Sequence, residues 1–224
     1  MTDTDLPSPT VWPPPLTEQQ QRELEQLTRF QHFRMAHANA VQISRGVKNI
    51  VDKDGKPLLS WRVALLSYLE RTDIVQAIKR DEPWDSEHNA PLAKEADRFF
   101  RMKGAESGTT VWQLATGPGT LYEKPNERAT PTDGGNTIMI VQTAPEAAVP
   151  LLAPRDFVFN PDDPWDGLPK AGFPALFLSG HMRWVKGDTP PETLKALFTA
   201  AGGEEVDIDA VTTSIFGKFL RGPE

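Results

Sequence analysis

The chain contains no cysteine, which excludes disulfides, thiolate zinc sites and cysteine nucleophiles together. It also has no excess of positive charge: 24 Lys plus Arg stand against 31 Asp plus Glu, a net charge of -7. Phosphate backbones and anionic membranes both require a basic footprint, so nucleic acid is not an expected partner. No window approaches the ~18 consecutive apolar residues of a membrane span. The opening "MTDTDLPSPTVWPPPLTEQQQ" has neither the basic start nor the apolar core of a signal peptide. As written, the sequence is expected to be unexported and cytoplasmic. Catalytic signatures are missing too. There is no HExxH, no Gly-x-Ser-x-Gly elbow and no Gly-x-Gly-x-x-Gly fingerprint.

What the chain does have is proline, in clusters. Of 21 prolines, five lie between Pro7 and Pro15 and six between Pro150 and Pro174, so two segments resist regular structure. Residues 1–16 read as an extended Pro-rich tail with Trp12 as a possible anchor, and residues 17–224 as one α+β domain. Thr17 with Gln20 makes a capping-box start, and the helix formers that follow predict a long N-terminal helix ending before Gly46. Its apolar residues Leu24, Leu27 and Phe30 can cover a sheet, while Glu18, Arg22, Glu23, Glu25, Arg29 and Arg34 forbid spanning a bilayer.

The stretch "VDKDGKPLLSWRVALLSYLE", residues 51–70, resembles an ion or phosphate loop only at first glance. An EF-hand needs Gly sixth and Glu twelfth, whereas counting from Asp52 puts Gly55 fourth and Val63 twelfth. A P-loop needs Gly-Lys-Ser/Thr, and here proline follows Gly55-Lys56. "DKDGKP" is therefore expected to be a polar turn, with Trp61 at least half buried and Ser60 capping a helix that buries Val63, Leu66 and Leu69. Thr72 or Asp73 caps its continuation, Pro83 ends it, and Ser86 or Asn89 starts another that carries Phe99, Phe100 and Met102. Strands follow at 109–116 and 136–143, then a hairpin over 175–185 turning at Ser179-Gly180. A last helix over 190–201 has Thr189 as N-cap, Pro190 first, Glu192 completing the box and Gly202-Gly203 as the stop.

These blocks carry a resemblance. "DKDGKPLLSWRVALLSYLE", "RDEPWDSEHN" (80–89), "GPGT" (117–120), "TDGGNTIMIVQT" (132–143), "EAAVP" (146–150), "ALFLSGHMRWV" (175–185) and "ETLKALFTAAGGE" occur in that order. Over residues 52–206 the chain resembles the pseudopilin-like domain of unknown function number 1559, a family abundant in planctomycete-type bacteria. The resemblance implies a long N-terminal helix and short helices packed on an antiparallel, pseudopilin-like sheet. It also implies a structural role, and leader-bearing members are expected in the cell envelope. Two departures stand out. The apolar prepilin-type leader of many members is replaced here by the acidic Pro-rich tail. A C-terminal signature, a His ten residues before Asp-Gly, falls on Pro169 and Ser179-Gly180.

Chemistry-bearing residues are scattered. His32 and His37 are five apart, on different faces of a helix; His88 lies in a turn and His181 in a strand. The one stretch dense in hard oxygen ligands is "DFVFNPDDPWDG" (156–167), where Asp156, Asn160, Asp162, Asp163 and Asp166 are weak calcium candidates on a loop stiffened by two prolines, with Trp165 pinned to the body. No cofactor and no catalytic residue is assigned. The leading expectation is a non-enzymatic structural or protein-interaction module, with self-association or another protein as partner. The alternative is a calcium- or small-ligand-binding domain using the 156–167 loop, and a hydrolase built on His181 or His88 comes third.

Overall fold

The structure is a computed structural model that describes Thr17, Glu18, Gln21 and residues 47–97, 100, 105–124, 126–132 and 135–214. The expected tail, with Trp12, and nearly all of the long N-terminal helix fall outside the described residues. Where that helix is expected to start, the Gln21 amide donates to the Thr17 carbonyl at 2.9 Å, a single helical turn. Among the described residues no helix is long and apolar enough to cross a membrane.

The stretch "DKDGKP" folds as a turn. Strands β1 (Ile50–Val51) and β2 (Pro57–Leu59) pair antiparallel around it. The Asp52 carboxylate accepts the amides of Asp54 and Lys56 at 2.9 and 2.8 Å, an Asx-type turn that leaves Gly55 at φ +81°. Helix α1 (Arg62–Leu66) follows at once, then a 3₁₀ turn (Ser67–Leu69) and α2 (Thr72–Ala77). Glu70, left-handed at φ 58°, breaks the run between them. Helix α3 (Leu92–Ala96) comes next.

The six-stranded sheet has the order β10-β9-β8-β5-β4-β7. Its members are β4 (Trp112–Thr116), β5 (Ile138–Gln142), β7 (Phe157–Val158), β8 (Gly172–Phe177), β9 (Met182–Lys186) and β10 (Thr212–Ser214). All neighbours run antiparallel except β4 and β7, which are parallel. A separate pair joins β3 (Thr109–Thr110) to β6 (Val149–Pro150). The expected hairpin is β8–β9, closed by Phe177 N–H donating to the His181 carbonyl at 2.9 Å with Gly180 at φ +82°.

Both faces of the centre of this sheet are buried. One core gathers Trp61, Val63, Leu65, Leu66, Ile74 and Phe100 against Trp112, Leu114, Met139, Ile140 and Leu176. The other packs Leu194, Leu197 and Phe198 of α4 (Pro191–Phe198) against Ala115, Val141, Phe173, Ala175, Phe177 and Val185. Phe198 stacks on Phe159 with ring centroids 4.5 Å apart. The central strands therefore read as near-continuous apolar runs, ending in β5 at the polar Gln142, with every residue of β5 and β8 buried, as sheets covered on both sides require. A register slip between Ile138 and Ile140 is what lets Met139 and Ile140 both reach the first core. Proline is tolerated in β8 because the ladder to β5 stops at Ala175, leaving Pro174 beside Trp184 of β9 alone.

The expected caps need correction. No side chain caps α4: its N-cap is Pro190, and the Thr189 hydroxyl instead donates to the Lys186 and Val211 carbonyls, at 2.7 and 3.3 Å. The helix ends at Phe198, short of the glycines, because Thr199 turns to extended backbone. Neither Thr72 nor Asp73 caps α2, whose N-cap is Arg71. Neither Ser86 nor Asn89 caps α3, which starts after Pro91. Asp207, not singled out from the sequence, does cap a helix: it accepts the Asp209 and Ala210 amides at the start of α5 (Ile208–Val211), both at 3.2 Å.

Candidate functional site

The densest polar constellation begins with the residues Ser60-Trp61-Arg62. Ser60 is held beside the chain at 152 by its amide, which donates to the Leu152 carbonyl at 2.8 Å. Its hydroxyl accepts the Arg62 amide at 3.2 Å, although the formal N-cap is Trp61 and makes no side-chain cap bond. This start turns Arg62 inward, where it is 0% exposed.

A guanidinium carries five N–H donors, and each is met. Nε donates to the Trp112 carbonyl at 2.9 Å. Nη1 donates to the Ser60 hydroxyl at 2.7 Å and to the Ala153 and Arg155 carbonyls at 3.4 and 3.3 Å. Nη2 donates to the Arg155 carbonyl at 3.3 Å and to Asp156 Oδ1 at 2.6 Å. Asp156 Oδ1 accepts two further bonds, from Trp61 Nε1 at 3.0 Å and the Leu114 amide at 2.9 Å, while its Oδ2 takes the indole N–H at 3.2 Å. The node ties α1 to β4 and to the loop entering β7. Burial lowers the Arg62 pKa, with the Asp156 charge pulling it back up. Burial pushes the Asp156 carboxyl up from its ordinary value, opposed by Arg62, the Trp61 indole and the Leu114 amide.

With side chains 0% and 6% exposed, this pair is out of reach of a substrate. Its chemistry is attachment. A second node has the same character. Asn89, also fully buried, accepts the Lys79 amide at 3.0 Å and donates to the carbonyls of Lys79, Glu82 and Pro83 at 2.9, 3.2 and 3.2 Å. "RDEPWDSEHN" is thereby a loop wound around one amide. Trp84 lies against the first core, with the Arg155 guanidinium over its ring at 5.5 Å.

The sequence-predicted calcium candidates are not brought together. Asp156 faces the interior and Arg62, whereas Asn160, Asp162, Asp163 and Asp166 are exposed. Asn160 accepts the Asp162 amide at 3.0 Å, and Trp165 is pinned as expected, its indole donating to the Thr189 carbonyl at 3.1 Å. Among the described residues no three His, Cys, Asp or Glu side chains form a group that could hold a metal ion. His88 Nε2 lies 2.7 Å from the Ala77 carbonyl and His181 Nδ1 lies 3.1 Å from the Ser179 hydroxyl, both at exposed positions. His32 and His37 are outside the described residues. An open groove of about 680 Å³ lies between the end of α4 and the 203–207 loop, lined by Thr132, Asn136, Leu197, Glu204, Glu205 and Asp207.

Sequence reasoning missed the functional weight of Arg62. The signal was present: a lone charge inside "LLSWRVALL" must find a counter-charge if the segment is buried.

Comparison with known proteins bears on residues 36–170, which match the model of one family. That span contains Ser60, Trp61, Arg62, Asn89 and Asp156, begins ahead of the expected residue 52, and stops before the blocks at 175–185 and 192–204. No curated protein and no solved structure matches the chain. The chain belongs to the family described as protein of unknown function, DUF1559.

Proposed function

We propose that the chain is a non-enzymatic structural or protein-interaction module of pseudopilin-like build. One observation carries this reading: the residues best equipped for chemistry, Arg62 and Asp156, are sealed in the interior with their hydrogen bonds taken up by the fold. Active sites keep such groups facing a cleft where a ligand can arrive. The partner is a protein, another copy of the chain included, because a net charge of -7 disfavours nucleic acid. The chain works in the cytoplasm, and cell fractionation tests this: retention on membranes after a high-salt wash would overturn it.

The reading is tested by incubating the purified protein with chromogenic ester, phosphoester, glycoside and peptide substrates. No turnover above buffer is expected. A rate that His181→Ala or His88→Ala abolishes would establish a hydrolase instead. The competing reading, a calcium-binding domain, would require Asp162, Asp163 and Asp166, three exposed carboxylates on one loop that are not gathered into a metal-holding group, to converge on the ion. A calcium ion at a hundred times its dissociation constant would stabilise the fold by about 2.7 kcal/mol. An unchanged melting temperature at millimolar calcium is expected, and a rise that Asp163→Asn removes would favour the ion.

A further inference from the structure

We draw no further inference here: the strongest candidate, the open acidic groove between the end of α4 and the 203–207 loop, is a cluster of carboxylates in which Asp207 already caps α5 and no buried unpartnered group or bound species points to a ligand.

Discussion

A single amide side chain shows how a motif that looks functional can be structural. Asn89, itself fully buried, satisfies one backbone N–H and three carbonyls of the 79–83 loop that winds around it. Asn89→Ala should cost about 1–3 kcal/mol, because several hydrogen bonds of about 0.5–1.5 kcal/mol each are lost together. Urea denaturation measures it, and a wild-type midpoint would mean that the loop is held by other contacts. The Asp156 carboxyl yields a pH prediction. Its pKa is raised in the folded state by burial, so folding binds its proton more tightly than the unfolded chain does. That contribution is present below the unfolded pKa and is lost as pH rises through the folded one. Wild-type stability relative to Asp156→Asn should therefore fall from acid toward neutral pH. A difference that grows with pH would show that Arg62 outweighs burial. At this scale the sequence was partly legible. Trp61 is buried as its apolar surroundings imply, at 1% exposure. Asp156 was misleading because a carboxylate in an acidic loop looks solvated, and its partner lies 94 positions away.

Among elements, α4 tests whether the second core depends on a helix only two turns long. Its Leu194, Leu197 and Phe198 lie at i, i+3 and i+4 and are all buried, which the spacing alone predicts. Phe198→Ala should cost about 3–5 kcal/mol, the range for a buried aromatic truncated to a cavity. Wild-type stability would show that the helix is peripheral. Two glycines separate turn strain from steric exclusion. Gly55 and Gly172 both have positive φ, but a Cβ at Gly55 meets nothing, whereas at Gly172 it would lie 2.4 Å from the Val185 carbonyl oxygen. Gly172→Ala should lower the melting temperature clearly more than Gly55→Ala, and equal effects would show that the β8–β9 pairing relaxes freely. Strands β4 and β5 and the β8–β9 hairpin were readable from apolar runs between turn residues, whereas β1, β2, β6, β7 and β10, two or three residues each, were not. The caps were not. Thr189, Ser86 and Asn89 all have the right chemistry, but tertiary carbonyls or neighbouring loop groups claim their side chains first.

For the whole molecule, the sheet is the divider between two cores, and the Arg62–Asp156 node fastens the first core's helices to it. An α+β class follows from the order of elements. Helices on both faces do not, because the near-continuous apolar character of β5 and β8 fits a core strand of either kind. The central claim is that this node is a structural fastening and not a site of chemistry. Removing one partner of a buried pair leaves an uncompensated charge and costs about 3–5 kcal/mol, while replacing both partners with apolar residues costs far less. Residues that serve catalysis tend the other way, since relieving a strained site is commonly neutral or stabilising. The direct measurement is a double-mutant cycle of Asp156→Ala and Arg62→Met by equilibrium chemical denaturation. Each single variant should lose several kcal/mol and the double variant much less than their sum. Single variants as stable as the wild type, or more stable, would contradict the account.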